Sequence, residues 1–445
     1  MKERMFSNKQ LCRLIIPLLL EQLLAMLVGM VDTIMVSSAG EAAISGVTIV
    51  NAVNNLAIQL LAAVAGGGAV IVSQYLGNKE REKADLAASQ LVLIAFVISG
   101  LTGGICFVLH KQILGVLYGS VAEDVMAAAC TYFWITALSF PFLGVYNSSA
   151  AIFRSMSMTK TTMYVSFVMN GINVIGNYIG VIVMKAGTAG VAWPTLISRA
   201  VAAVIMVSLA FRKENPLSLS WKNIFAWHGD ILKRILNIAV PNGVENGMFQ
   251  LGKVLVSSIA ATYGTIQLAA NGVANSLVTL AYTTEMAMQL AVVTVVGQCV
   301  GANDYEQAQY YIKKLLAWSW VMAIVSNAAL MFVLPAALKL YTLTPETAEI
   351  TSLIINIECI AIAAMHAPAF VLPCAMRAAG DAKYTMVIGI ISMFTARVAG
   401  AYFFGTILGL GVVGTRIAMY CDWVVRICFF AMRYRSGKWK EFRAI

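Results

Sequence analysis

Residues 12–36 read CRLIIPLLLEQLLAMLVGMVDTIMV and set the pattern for the whole chain. A helix crosses the roughly 30 Å hydrocarbon layer of a bilayer with about 20 residues, so this run is long enough to span it. Similar runs recur to the C-terminus: 60% of the 445 residues are hydrophobic and only 12% are charged. Since a soluble domain is about 25% charged, the sequence predicts a polytopic membrane protein.

Twelve apolar runs of this length predict an all-α fold with twelve transmembrane helices. Membrane β-strands would alternate in polarity over about ten residues, and these runs do not. The predicted spans are 12–36, 44–72, 87–109, 125–151, 163–184, 189–211, 235–260, 267–296, 315–338, 350–373, 384–405 and 409–432.

The basic residues predict the orientation of these spans. With the N-terminus and the even-numbered loops in the cytoplasm, 23 of the 31 Lys and Arg residues lie inside and only Lys111, Lys185 and Lys339 lie outside. That count places Arg154 and Arg377 in cytoplasmic loops. Because cytoplasmic loops carry the excess of Lys and Arg, both termini are expected in the cytoplasm and the chain in the plasma membrane. The same distribution explains the net charge of +10, so no nucleic-acid partner is expected.

An internal repeat divides the chain into two halves. The constant shift that places Pro17 on Pro241 aligns spans 1 and 2 with spans 7 and 8, and a small slip extends the match. The aligned polar, Gly and Pro pairs include Pro17/Pro241, Glu21/Glu245, Gly40/Gly264, Asn51/Asn275, Gln74/Gln298 and Arg154/Arg377. Six spans per half predict two parallel repeats around a central cleft, as in transporters. The expected lobes are 1–222 and 223–445, and the linker 212–234 is either a helix on the inner membrane face or a solvated connection.

The cysteines and histidines exclude several classes of protein. The eight Cys contain no C-x-x-C pair, and the three His have no spacing typical of zinc ligands. A disulfide framework, a metal site and an intramembrane enzyme are therefore not predicted. No cofactor is expected apart from H⁺ or Na⁺ as a coupling ion.

Six carboxylates lie within predicted spans, where a charge costs a few kcal/mol and faces protein or a wet cavity. Depth in the span favours a functional role for Asp32, Glu245 and Glu285, which could carry a proton or ligate Na⁺. Simple pairing with a neighbouring helix is the more natural interpretation for the other three, Glu21, Glu358 and Asp422; for Asp422 the candidate partner is Arg426, one turn later.

Further polar residues in the spans leave two interpretations open. Lys253 either neutralises a glutamate of the second half or reaches towards the outer surface with its long stem. Four asparagines either line a polar cavity or form hydrogen bonds between helices; they are Asn51, Asn55, Asn271 and Asn275.

These residues together resemble the multidrug and toxic compound extrusion (MATE) transporters over the whole chain. Span 1 carries Asp32 fifteen residues after Pro17, both spans 2 and 8 end in Q-x-x-G, and span 6 opens G-x-x-G-V-A-W-P-T. The resemblance implies a cation site in the N-terminal lobe. Its implied residues are Asp32, Tyr132, Asn173, Asn177 and Thr195.

Two departures from the family pattern bear on that site. Many members have Asp where this chain has Asn177, so the implied site carries one charge fewer and favours Na⁺ less. Glu245 also lies about one turn before the glutamate that one branch of the family uses.

The resemblance implies a secondary active multidrug exporter that exchanges H⁺ or Na⁺ for an organic compound by alternating access. A cationic, amphipathic small molecule is the expected substrate, and a monomer in the lipid bilayer is the expected functional unit. The alternative is a flippase for a lipid-linked sugar in the same superfamily, which would need several basic residues around a pyrophosphate. A channel is a weaker alternative, because duplicated lobes favour alternating access.

Overall fold

The computed structural model describes residues 4–119, 121–339, 341 and 343–445, and every regular element in this part of the chain is helical. The predicted all-α architecture is confirmed. Two compact units are formed, Asn8–Gly243 (the N-unit) and Val244–Ile445 together with the N-terminal segment that ends at Ser7 (the C-unit).

The helices follow one another with short connections. Those that begin in the first half are α1 (Asn8–Ser37), α2 (Glu41–Gly77), α3 (Arg81–Tyr118), α4 (Glu123–Leu138), α5 (Phe140–Ser155), α6 (Thr159–Asn177, continued by a π-helix at Tyr178–Val183), α7 (Ala189–Ala210) and α8 (Trp221–Phe225). The second half contains α9 (Gly229–Ala261), α10 (Thr265–Gly301), α11 (Tyr305–Leu338), α12 (Pro345–Ala361, continued by a π-helix at Ile362–Val371), α13 (Leu372–Ala379), α14 (Ala382–Ser392, with π-helices at Met393–Val398 and Ala401–Ile407), α15 (Gly411–Arg435) and a 3₁₀ turn (Lys438–Glu441).

These helices correspond to the twelve predicted spans. Within the described residues, nine continuous helical stretches are long and apolar enough to cross a membrane, and the pair α4 and α5, bent by 45°, makes a tenth. The bend falls where Pro141, at the start of α5, has no N–H to donate to α4. The remaining two spans are α9 and α15, whose lower apolar content reflects the charged residues that they carry inside.

The predicted linker contains a short helix. Between α7 and α9 the chain forms α8, and the rings of Phe211, Trp221 and Phe225 stack in a row with centroids 4.6 and 5.9 Å apart. Trp221 and Phe225 are exposed. Such aromatic rings suit a membrane interface, which favours an interfacial helix over a fully solvated connection.

Each unit has its own packed core. In the N-unit, α2, α3 and α5 pack together. Gly68 of α2 lies so close to α3 that a Cβ at this position would overlap the side chain of Leu91. In the C-unit, buried residues of α10, α12 and α15 form one cluster that includes Val278, Ile355 and Trp423.

The sequence repeat is reproduced in the backbone. Both α2 and α10 are 37 residues long, and the shift that aligns the two halves places Glu41, where α2 begins, on Thr265, where α10 begins. Each helix is preceded by a glycine with positive φ, +106° at Gly40 and +94° at Gly264, a conformation that other residues rarely adopt. The same local turn therefore starts the second span of each half.

An ion pair is repeated as well. Nη2 of Arg154 lies 2.7 Å from Oε1 of Glu21 in the N-unit, and Nη1 of Arg377 lies 2.9 Å from Oε2 of Glu245 in the C-unit. Both glutamates are buried, and Thr162 donates a further hydrogen bond to Glu21 at 2.9 Å. The placement of Arg154 and Arg377 in cytoplasmic loops is thus corrected: each lies in the last turn of a helix, where it neutralises a buried acid.

Removing the acid from either repeated pair should destabilise the protein. Breaking a buried ion pair leaves an uncompensated charge and costs about 3–5 kcal/mol. We expect Glu21→Gln and Glu245→Gln to lower the unfolding temperature of the detergent-purified protein clearly, measured by thermal unfolding. Glu349→Gln, at an exposed position of α12, is the control and should have little effect. Equal melting of all three variants and the wild type would contradict this account of the pairs.

Candidate cation site

Asp32 lies in the N-unit, five residues before the end of α1, beside a cavity of about 300 Å³. The cavity is lined by residues of α1, α2, α4, α6 and α7. Four of the five residues implied by the resemblance line it: Asp32, Tyr132, Asn173 and Thr195. The fifth, Asn177, is fully buried and reaches Asp32 directly.

Two amide side chains hold the Asp32 carboxylate. Nδ2 of Asn177 donates to Oδ1 of Asp32 at 2.7 Å. The amide of Asn173 satisfies its neighbours when its nitrogen faces Asp32, because it then lies 3.0 Å from both carboxylate oxygens. In that orientation its oxygen accepts from the Thr195 hydroxyl at 3.1 Å. Asp32, Asn173, Asn177 and Thr195 therefore form one hydrogen-bonded group.

The local structure of α6 explains this arrangement. Asn173 and Asn177 are four residues apart and so lie on the same helix face. The α-helix ends at Asn177 and continues as a π-helix, an irregularity that occurs often at functional sites. Oδ1 of Asn177 is buried and accepts no hydrogen bond from the described residues. It remains an available oxygen ligand next to the carboxylate.

Arg199 is the residue of this site that the sequence analysis missed. It lies on α7, four residues after Thr195, and lines the same cavity. Its Nη1 donates to Oγ of Ser139, at the bend between α4 and α5, at 2.7 Å. In the sequence, Arg199 falls within the predicted span 189–211. Its spacing from Thr195, which puts both on one helix face, is the signal that could have found it.

The asparagines of α2 divide into two environments. Asn51 lines the cavity, and the Tyr132 hydroxyl donates to its Oδ1 at 3.4 Å. Asn55 is exposed and lies outside the cavity lining. Asn51 and Asn55 are the two residues predicted to line a cavity in the N-terminal half. Asn51 lines the cavity beside Asp32, and Asn55 does not.

The predicted acids of the C-unit have different partners. Glu245 is engaged by Arg377, as described above, and Nη1 of Arg426 lies 3.8 Å from its other oxygen. Glu285 is fully buried; Oγ of Ser319 donates to it at 2.6 Å and Nδ1 of His366 lies 3.5 Å away. Glu245 and Glu285 are thus held by different groups.

The other predicted residues of the C-unit, two asparagines and a lysine, do not form one site either. Asn271 and Asn275 of α10 both accept hydrogen bonds from Nη2 of Arg416 on α15, at 2.6 and 2.7 Å. Of the two interpretations, hydrogen bonding between helices therefore applies to these residues. Lys253 forms no ion pair within 4 Å among the residues that the structure describes. Its ammonium lies 5.0 Å from the centre of the Phe249 ring.

Asp32 differs electrostatically from the acids of α9, α12 and α15. Glu245, Glu358 and Asp422 each have an arginine nitrogen within 3.0 Å. Asp32 has no cationic nitrogen within 4 Å in the described part of the chain. Its carboxylate is therefore held by neutral donors and faces a cavity, an arrangement that can accept a small cation.

Comparisons with known proteins agree with this architecture. The family model MatE matches residues 17–179 and 241–403, two segments related by the same shift as the internal repeat. Among curated relatives, the "Uncharacterized transporter YisQ" of Bacillus subtilis is 27% identical over 95% of this chain and 93% of its own length. The "Probable multidrug resistance protein NorM" of Thermotoga maritima is 25% identical over 98% of this chain and 93% of its own length.

A solved structure described as the outward-facing conformation of a multidrug resistance MATE family transporter superposes with a TM-score of 0.90. It is 19% identical and the match covers 97% of this chain and 96% of that one. This likeness shows the fold, and the family model, which matches both halves, shows the relationship. The chain belongs to the MatE family of membrane transporters.

Proposed function

We propose that this protein is a secondary active multidrug exporter of the plasma membrane, with both termini in the cytoplasm, that works as a monomer. It exchanges an amphipathic organic compound moving outward for H⁺ or Na⁺ moving inward at Asp32. The observation that supports this proposal is the environment of Asp32, which is held by two amides instead of an arginine and opens on a cavity.

The two asparagines suit either coupling ion. An amide donates through its nitrogen to a bare carboxylate, and by rotating it offers its oxygen to a bound Na⁺ or to a protonated carboxyl. Asn173, Asn177 and the Thr195 hydroxyl would supply such oxygens beside Asp32. Cation binding would replace N–H donors by oxygen ligands, and this change would alter how α1 packs on α6.

Coupling follows if the cation and the organic compound favour different conformations. A ligand shifts a conformational equilibrium only by its difference in affinity for the two states, and the effect is reciprocal. A cation bound at Asp32 would thus favour the state that releases the compound outside. Its release into the cytoplasm would restore the state that binds the compound.

The expected cationic charge of the substrate has less support than the coupling site. The resemblance implied that charge, and the acids predicted within the spans of both halves agreed with it. Glu245, Glu358 and Asp422 are each neutralised by an arginine. Glu285 has no arginine partner among the described residues but is fully buried, so the preference for cations now rests on Asp32, which faces the cavity. The flippase alternative would need several basic residues free to surround a pyrophosphate. Arg377, Arg416 and Arg426 are engaged by acids, so this alternative would rest on Lys253 and Arg397 alone.

Asp32→Asn should abolish coupled efflux, because the amide can neither release a proton nor carry the charge that holds Na⁺. We expect efflux from proteoliposomes, driven in turn by a pH gradient and by a Na⁺ gradient, to fall to the level of empty vesicles. Asp124→Asn, at an exposed position of α4, is the matched control and should transport as the wild type does. Coupled efflux that survives in Asp32→Asn would remove Asp32 from the mechanism.

Asn177→Asp should strengthen Na⁺ binding, since it places a second carboxylate beside Asp32. We expect the Na⁺ affinity to rise about tenfold, equivalent to about 1.4 kcal/mol, in calorimetric titrations of the purified protein. Asn55→Asp makes the same chemical change outside the cavity and is the control. An equal gain in both variants, or none in Asn177→Asp, would contradict the proposed role of the asparagine pair.

A further inference from the structure

The spans of the C-unit contain more cations than their acids neutralise. Three acids within its spans each have an arginine nitrogen within 3.0 Å: Glu245 has Arg377 at 2.9 Å, Glu358 has Arg416 at 2.9 Å, and Asp422 has Arg426 at 3.0 Å. The fourth acid within these spans, Glu285, lies against Ser319 and His366. Two further cations within the spans, Lys253 and Arg397, are left over.

Arg397 has only a distant acidic neighbour. Its Nη1 lies 3.9 Å from Oδ2 of Asp422, whose other oxygen already accepts a hydrogen bond from Arg426 at 3.0 Å. Nε of Arg397 is buried and donates to no group among the described residues. One carboxylate thus faces two guanidinium groups, which leaves this group of three with a net positive charge.

Lys253 has still less compensation. Its ammonium forms no ion pair within 4 Å among the described residues. The side chain is nevertheless accessible. An uncompensated charge within a membrane span is expensive and is kept where it serves a ligand or pathway.

The two cations meet at one aromatic ring. The Lys253 ammonium and the Arg397 guanidinium lie 5.0 and 5.3 Å from the centre of Phe249, and the Arg426 guanidinium lies 5.5 Å from it. Cation–π attraction to one ring adds no negative charge, so it leaves both cations without a neutralising partner. The Phe249 ring therefore accounts for the positions of Lys253 and Arg397. A bound anion would account for the presence of two uncompensated positive charges in these spans.

We propose that Lys253, Arg397 and Phe249 bind the anionic group of an amphipathic organic compound. A guanidinium offers a planar pair of donors that matches carboxylate, sulfonate or phosphate oxygens, and the ammonium adds a compact charge. Phe249 packs against the apolar part next to the anionic group. Binding at this site does not depend on the proposed exporter function. Only the interpretation of the bound compound as a transported substrate rests on that function.

The test is calorimetric binding to the full chain in nanodiscs of neutral phosphatidylcholine. The probes are naphthalene-2-sulfonate and its cationic counterpart, (2-naphthylmethyl)trimethylammonium, which share the aromatic body. We expect the sulfonate to bind and the ammonium probe not to compete with it. Lys253→Gln and Arg397→Gln should each weaken sulfonate binding at least tenfold, and Arg397→Lys, which keeps the charge, should recover part of the loss.

Lys440→Gln is the matched control. Lys440 belongs to the same unit and its ammonium lies 5.8 Å from the Trp439 ring, so the variant removes a charge and a ring contact elsewhere. It should leave sulfonate binding unchanged. Nanodiscs that contain anionic phosphatidylglycerol identify the natural source of the anion: loss of probe binding there indicates a lipid headgroup, and retained binding indicates a free organic anion.

Unchanged sulfonate binding in both Lys253→Gln and Arg397→Gln would overturn the proposal, as would equal weakening in Lys440→Gln. Equal competition by the cationic probe would overturn it too. Matching thermal unfolding of the wild type and Lys253→Gln excludes misfolding as the cause of lost binding. Repeating the titration in Asp32→Asn separates the two proposals, because the anion site should bind there even though coupled efflux is lost.

Discussion

A charge inside an apolar layer is costly unless a neighbour neutralises it, and this constraint accounts for the buried ion pairs within the helices. Apart from Glu285, the buried in-span acids that the structure describes face an arginine from another helix or from the next turn of their own. The Glu21–Arg154 and Glu245–Arg377 pairs recur at equivalent positions of the two halves. Their recurrence indicates that they hold the common framework together, and that chemistry specific to one half has to come from residues that the repeat does not share.

Asp32 is such a residue, because the equivalent position in the second half is occupied by Val256. It is surrounded by amides and a hydroxyl, groups that can donate or accept, so its charge state can change without leaving an arginine unpaired. Lys253 and Arg397 represent the opposite case, positive charge that exceeds the acids near it. The duplicated helices thus carry an acid available for a cation in one unit and spare cations in the other.

The fold could be predicted from the sequence to a large extent, since apolar runs of spanning length and the internal repeat are properties of the chain itself. The cation site was predicted by resemblance, and the structure brings its residues together. Ion-pair partners were harder, because they depend on which helices touch. Arg154 and Arg377 were assigned to loops by their position near helix ends, although their joint alignment with Glu21 and Glu245 contained the signal. Arg199 was missed because a count of basic residues gives no side-chain direction.

The account depends on Asp32 being the carboxyl that changes its state when the coupling cation binds. Infrared difference spectroscopy of the purified protein, recorded between the cation-free and the cation-loaded states, measures this change directly. The account predicts one carboxyl difference band that disappears in Asp32→Asn and persists in Glu285→Gln. A band that remains in Asp32→Asn, or that is lost only when Glu285 is replaced, would contradict it.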